Sequence, residues 1–193
     1  MTRDRAGGTA LIVSAVAFII TMAFHPTGHE ILAPGHQVAA TRMAVGVHAL
    51  ALIGLPVGFF GTIVLSQRLE ALGALVAYGF GLVAVMNAAV YSGLVATRVA
   101  GQYPDLFMYT GYQNQGFALV YVVASCAAIV LWSMAMFRRA RGIAIAGVIV
   151  GPLILIVLFS HVIGLDVHGF GAIVLAQSAW FIACGVWLVR LER

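Results

Sequence analysis

The chain has 193 residues, 63% of them hydrophobic and only 8% charged, whereas a soluble domain of this size carries about 25% charged residues. Ten arginines, no lysine and six acids give a net charge of +4. The arginines stand at the ends of apolar stretches and form no patch or stripe, which excludes a nucleic-acid surface.

The charges leave six uninterrupted intervals: residues 6 to 29, 43 to 67, 71 to 97, 106 to 137, 142 to 165 and 167 to 189. Each exceeds the roughly twenty residues that a helix rising 1.5 Å per residue needs to cross about 30 Å of hydrocarbon. The expected fold is an all-α integral membrane protein of six transmembrane helices, one domain over residues 1–193, with approximate spans 7–25, 43–65, 71–97, 116–137, 142–163 and 169–190.

The first span follows Met1-Thr2-Arg3-Asp4-Arg5. Its apolar run is longer than a signal-peptide core of about 7 to 15 residues, and Asp4 does not suit a signal n-region, so it is read as a retained span. A loop rich in Gly, Pro and His (26–42) leads to the second span, where Gly54 and Gly58 form a GxxxG pair around Pro56. A tight turn at 66–70 precedes the third span, which carries Gly73, Gly79, Gly81 and Gly93 and, in its later half, Asn87, Tyr91 and Ser92. The loop at 98–115 holds Tyr103, Tyr109 and Tyr112, suited to the bilayer edge, while Phe107 and Met108 fit a short interfacial helix. The fourth span contains Cys126, and a turn at 138–141 joins it to the fifth, with Gly147, Gly151 and Pro152; the sixth contains Gln177, Ser178 and Cys184. Small residues at such spacing let helices approach closely, and each proline is expected to kink its helix. The two cysteines, alone in separate spans, read as buried apolar thiols with no bridge.

Orientation follows from arginine, which is retained on the cytoplasmic side. With the N-terminus inside, Arg3, Arg5, Arg68, Arg138, Arg139, Arg141, Arg190 and Arg193 fall inside and only Arg42 and Arg98 outside. Both termini are therefore expected in the cytoplasm, in a bacterial-type plasma membrane. The short inner turns should make spans two and three, and four and five, antiparallel neighbours.

All six histidines fall at the outer end: His25, His29, His36, His48, His161 and His168. Imidazole at bilayer depth needs a partner, and neutral imidazole is the commonest metal ligand. His25, His29, His48, His161 and His168 are the candidate metal ligands; His36, in the middle of its loop, is a bystander. Glu30 and Asp166 accompany them as candidate catalytic carboxylates that could orient an imidazole or activate a metal-bound water. His25 and His29 would share a face of a continuous helix, but Pro26 and Gly28 argue against one. Asn87 and Tyr91, one turn apart, are candidates for the wall of a cavity beside His48. No Met-x-x-Met ladder supports a thioether copper path.

These residues fit a membrane protein with a histidine-bound zinc, copper or iron at its outer interface, acting as a metal-dependent enzyme on a lipid or other amphiphile. One alternative is a haem b electron-transfer protein with two axial histidines. Another is a non-enzymatic subunit or pH-sensing transporter, though no charge lies mid-membrane to couple protons.

Overall fold

The computed structural model describes residues 2–33, 35 and 37–191; His36 lies outside them. The chain forms α1 (Arg3–Ala23), a short α2 (Gly28–Leu32), α3 (Gln37–Leu69), α4 (Leu72–Ala88) running through a π-helical segment (Ala89–Ala96) into α5 (Thr97–Val99), then α6 (Pro104–Met136), α7 (Arg141–Phe159) and α8 (Val167–Arg190). Among the described residues six helices are long and apolar enough to cross a membrane, with α4, the π segment and α5 acting as one.

Two helices run past the expected spans. α3 begins at Gln37, before the apolar stretch, and α6 begins at Pro104, where proline at a first-turn position lacks only an N–H that has no helical partner anyway. Phe107 and Met108 therefore belong to the first turns of α6 and form no separate interfacial helix. Pro56 and Pro152 sit inside α3 and α7, which continue through them.

The long helices follow one another around a ring in chain order, α1 closing it against α8. α3 packs on both α1 and the α4–π–α5 span, and α7 lies against α6 and α8. Small residues set these approaches. A Cβ on Gly54 would stand 3.3 Å from that of Ala17 in α1, and one on Gly151 would stand 3.0 Å from the Cys126 carbonyl oxygen in α6. Side-chain hydrogen bonds supplement the packing: Ser14 Oγ donates to the Gly54 carbonyl at 2.8 Å, and Gln177 Nε2 to Ser125 Oγ at 2.8 Å.

The two ends of the bundle differ. Towards the arginine-bearing end the interior is filled by aromatic side chains, with Trp132 stacked on Trp180 at 6.2 Å between centroids and Tyr78 and Phe181 against them. Trp132 Nε1 donates to Ser66 Oγ at 2.8 Å, tying α6 to α3. At the rim Arg68 pairs with Asp4 at 3.6 Å, and Arg139 donates to the Arg68 carbonyl. Cys126 and Cys184 are free and buried. At the opposite end, where the histidines lie, the interior is open.

Candidate functional site

α1 stops where Pro26 forces the residue before it out of helical conformation. The chain then reverses at Thr27, whose side chain accepts from the Glu30 N–H while the Glu30 carboxylate accepts from the Thr27 N–H at 2.6 Å, a complete capping box that opens α2. α2 is held down by Ile31, which packs with Ala44 of α3 and Ala100. This turn leaves His25 at the end of α1 with its ring directed at α3.

There it meets His48. The two Nε2 atoms are 3.3 Å apart, with ring centroids at 4.8 Å and planes at 70°. The other nitrogen of each ring faces a backbone carbonyl: His25 Nδ1 lies 2.9 Å from the Pro26 oxygen, and His48 Nδ1 lies 2.7 Å from the Ala44 oxygen one turn earlier in its own helix. A carbonyl only accepts, so both Nδ1 atoms carry the hydrogen. In two neutral imidazoles this leaves both Nε2 atoms as lone pairs turned towards each other. Three close contacts need three positive hydrogens, or two and another cation; the neutral pair supplies two. His25 stands beyond the end of α1, and burial pushes its imidazole below the ordinary value of 6.5, with the Pro26 carbonyl acting against that shift.

The π-helical segment makes room for the pair. Gly93 lies against the His48 ring, so closely that a Cβ there would be 2.6 Å from Nε2 and nearer still to Cγ and Cδ2. Single π turns inside α-helices recur at functional sites, and here the segment carries a residue without a side chain to the imidazole.

Both histidines line a cavity of about 440 Å³. Its walls come from every long helix except α7: Phe18 and Met22 of α1, Leu55 of α3, Val85 of α4, Phe107 of α6 and Phe170 of α8 are among them. The polar groups on its surface include Thr97, Asn114, Gln115 and Asp166.

Of the five candidate ligands the structure brings together His25 and His48. His29 is exposed on α2, His161 is exposed at the turn after α7 with φ +59°, and His168 is exposed in the first turn of α8. Among the described residues no group of three or more His, Cys, Asp or Glu side chains is placed to hold a metal ion. Glu30 is engaged in the capping box and is not a cavity residue, whereas Asp166 lines the cavity while one of its oxygens caps α8, accepting from Gly169 N–H at 2.7 Å. Asn87 donates to the Val83 carbonyl, and neither it nor the exposed Tyr91 lines the cavity; Ala88 and Ala89 do. Gly93, which in sequence reads as an ordinary packing glycine of the third span, is the residue that lies against the His48 ring.

No family model, no curated protein and no solved structure matches the chain.

Proposed function

We propose that this is a plasma-membrane metalloprotein in which Nε2 of His25 and Nε2 of His48 bind one first-row transition-metal ion at the outer end of the bundle, with the remaining coordination positions open to the cavity. The convergence of two Nε2 lone pairs, each fixed by a carbonyl behind the ring, carries this reading. Carbonyl-bound Nδ1–H groups are the usual outer partners of metal-ligating histidines.

Distances separate the metal readings. With metal–nitrogen bonds of about 2.0–2.1 Å, two ligands of a tetrahedral ion stand about 3.3 Å apart and two ligands in trans about 4.1 Å apart. The corresponding ring centroids would be about 5.2 Å and about 6.4 Å apart. The observed 3.3 Å and 4.8 Å favour adjacent positions on a tetrahedral ion over the axial positions of a haem. Two protein ligands leave two sites for water or substrate, and Asp166 is the carboxylate on the cavity wall suited to act on a bound water. A metal-dependent reaction on an amphiphile entering from the outer leaflet is the chemistry this arrangement serves. The arginine distribution supports both termini inside and the histidine end outside.

The test is elemental analysis and an absorption spectrum on protein purified without a histidine tag. One equivalent of metal with no Soret band is expected, lost in His25→Ala and His48→Ala and kept in His168→Ala. A Soret band would replace this centre with haem. Protein that takes up no metal on reconstitution would leave the pair sharing a proton and overturn the proposal.

A further inference from the structure

The shape of the cavity and the charge of the proposed centre together define what else it holds; this step rests on the metal reading above. The lining runs from His25, two residues beyond the end of α1, down to Phe18, on α3 from His48 to Leu55, and on α8 from Val167 to Val174. The α3 and α8 intervals are each seven residues of helix, a depth of about 10 Å at 1.5 Å per residue. The deep lining, Phe18, Leu55, Val85 and Val174, is apolar, and Tyr121 of α6 joins it. Asn114, Gln115 and Asp166 lie nearer the outer ends of their helices. A ligand that matches this gradient has one polar end beside the histidines and one apolar chain pointing into the bundle. With carbon–carbon bonds of about 1.5 Å, the depth takes roughly eight chain carbons.

The head is fixed by charge. A divalent ion on two neutral imidazoles keeps its full charge, and a buried uncompensated charge is costly. Among the described residues no His, Cys, Asp or Glu is placed to complete a group of three with His25 and His48, and Asp166 already commits one oxygen to the α8 cap. The compensating negative charge then comes with the ligand, as an oxygen donor able to occupy the two adjacent open positions.

We infer that the cavity binds a single-chain carboxylate amphiphile, its carboxylate on the metal beside His25 and His48 and its chain running between α1, α3 and α8 towards Leu55 and Val174. A medium-chain fatty acid is the simplest member of this class.

The probe is decanoate added to the cobalt(II)-loaded protein in phosphatidylcholine nanodiscs, read by the visible absorption of the cobalt. A saturable change in the band is expected with decanoate and none with decanol at the same concentration, which shares the chain but lacks the charge. Val174→Phe and, on the opposite wall, Val85→Phe fill the chain site without touching the histidines; each should keep the cobalt band and weaken the decanoate response at least tenfold. A cobalt band that decanoate leaves unmoved overturns this inference and leaves the metal centre standing. Wild-type decanoate affinity in both filled variants overturns the placement of the chain. Failure to form any cobalt band removes the metal reading and this inference with it.

Discussion

Gly93→Ala tests the site without touching a proposed ligand. The added methyl would lie 2.6 Å from His48 Nε2 and closer to two of its ring carbons, whereas comfortable non-bonded contact is about 3.5–4.0 Å. The ring must therefore retreat by at least about 1 Å. Metal–ligand distances tolerate about 0.2 Å, so a retreat of this size takes Nε2 out of the coordination sphere. Removing an outer partner of a metal ligand typically costs 10- to 100-fold in affinity, and displacing a ligand outright should cost at least the upper figure. The assay is cobalt(II) titration in competition with a chelator of known affinity, beside thermal unfolding. Gly46→Ala is the matched control: it lies on α3 two residues from His48, and a Cβ there meets nothing within 4 Å. It should keep full metal affinity. Wild-type affinity in Gly93→Ala would refute the argument that the π segment makes room for a liganding imidazole.

Acidification should release the metal with a midpoint below pH 6.5: burial lowers the proton affinity of His25 from that ordinary value, so protons compete for the ring only at lower pH. Equilibrium dialysis at stepped pH measures this, and half-release above 6.5 would contradict it. Ser66→Ala leaves the buried indole N–H of Trp132 without its partner and should destabilise the bundle by about 1 kcal/mol, read from denaturant unfolding in mixed micelles; an unchanged midpoint would mean that water reaches the indole. Because Cys126 and Cys184 are both buried, single cysteines can be added to the wild-type chain. A cysteine at Tyr112 should react with a membrane-impermeant maleimide on intact cells and one at Arg138 only after lysis, and the reverse pattern would invert the proposed topology.

The six spans were legible because the signal is physical and redundant: every crossing demands a charge-free run, and the chain has six. Helix ends were less so, because hydropathy marks where a helix meets hydrocarbon and not where it stops. The polar first turns of α3 and α6 continue as helix beyond the apolar stretches, from Gln37 and from Pro104. In the site, depth was readable and lateral position was not. His25 lies four residues before His29 in sequence, yet its partner is His48, because Pro26 and the Thr27 capping box end one helix and begin another between the first two. His161 and His168 lie at the same end of the bundle but stay exposed. The π-helical segment leaves no hydropathy signal at all, since widening a turn changes neither composition nor charge.

Glu30, exposed and outside the cavity, bears on His25 through the backbone. Its side chain closes the box with Thr27, and the residue before Thr27 is Pro26, whose carbonyl receives the His25 ring nitrogen. The orientation of His25 thus depends on a backbone turn that Glu30 holds from the exposed side. His48 depends instead on its own helix for the Ala44 carbonyl and on the opposing helix for the space at Gly93. Each imidazole is held by a backbone carbonyl at Nδ1 and faces the other ring through Nε2 at 3.3 Å. In a bundle whose remaining buried polar side chains mostly tie helix to helix, as Ser14, Trp132 and Gln177 do, this pair lines a cavity.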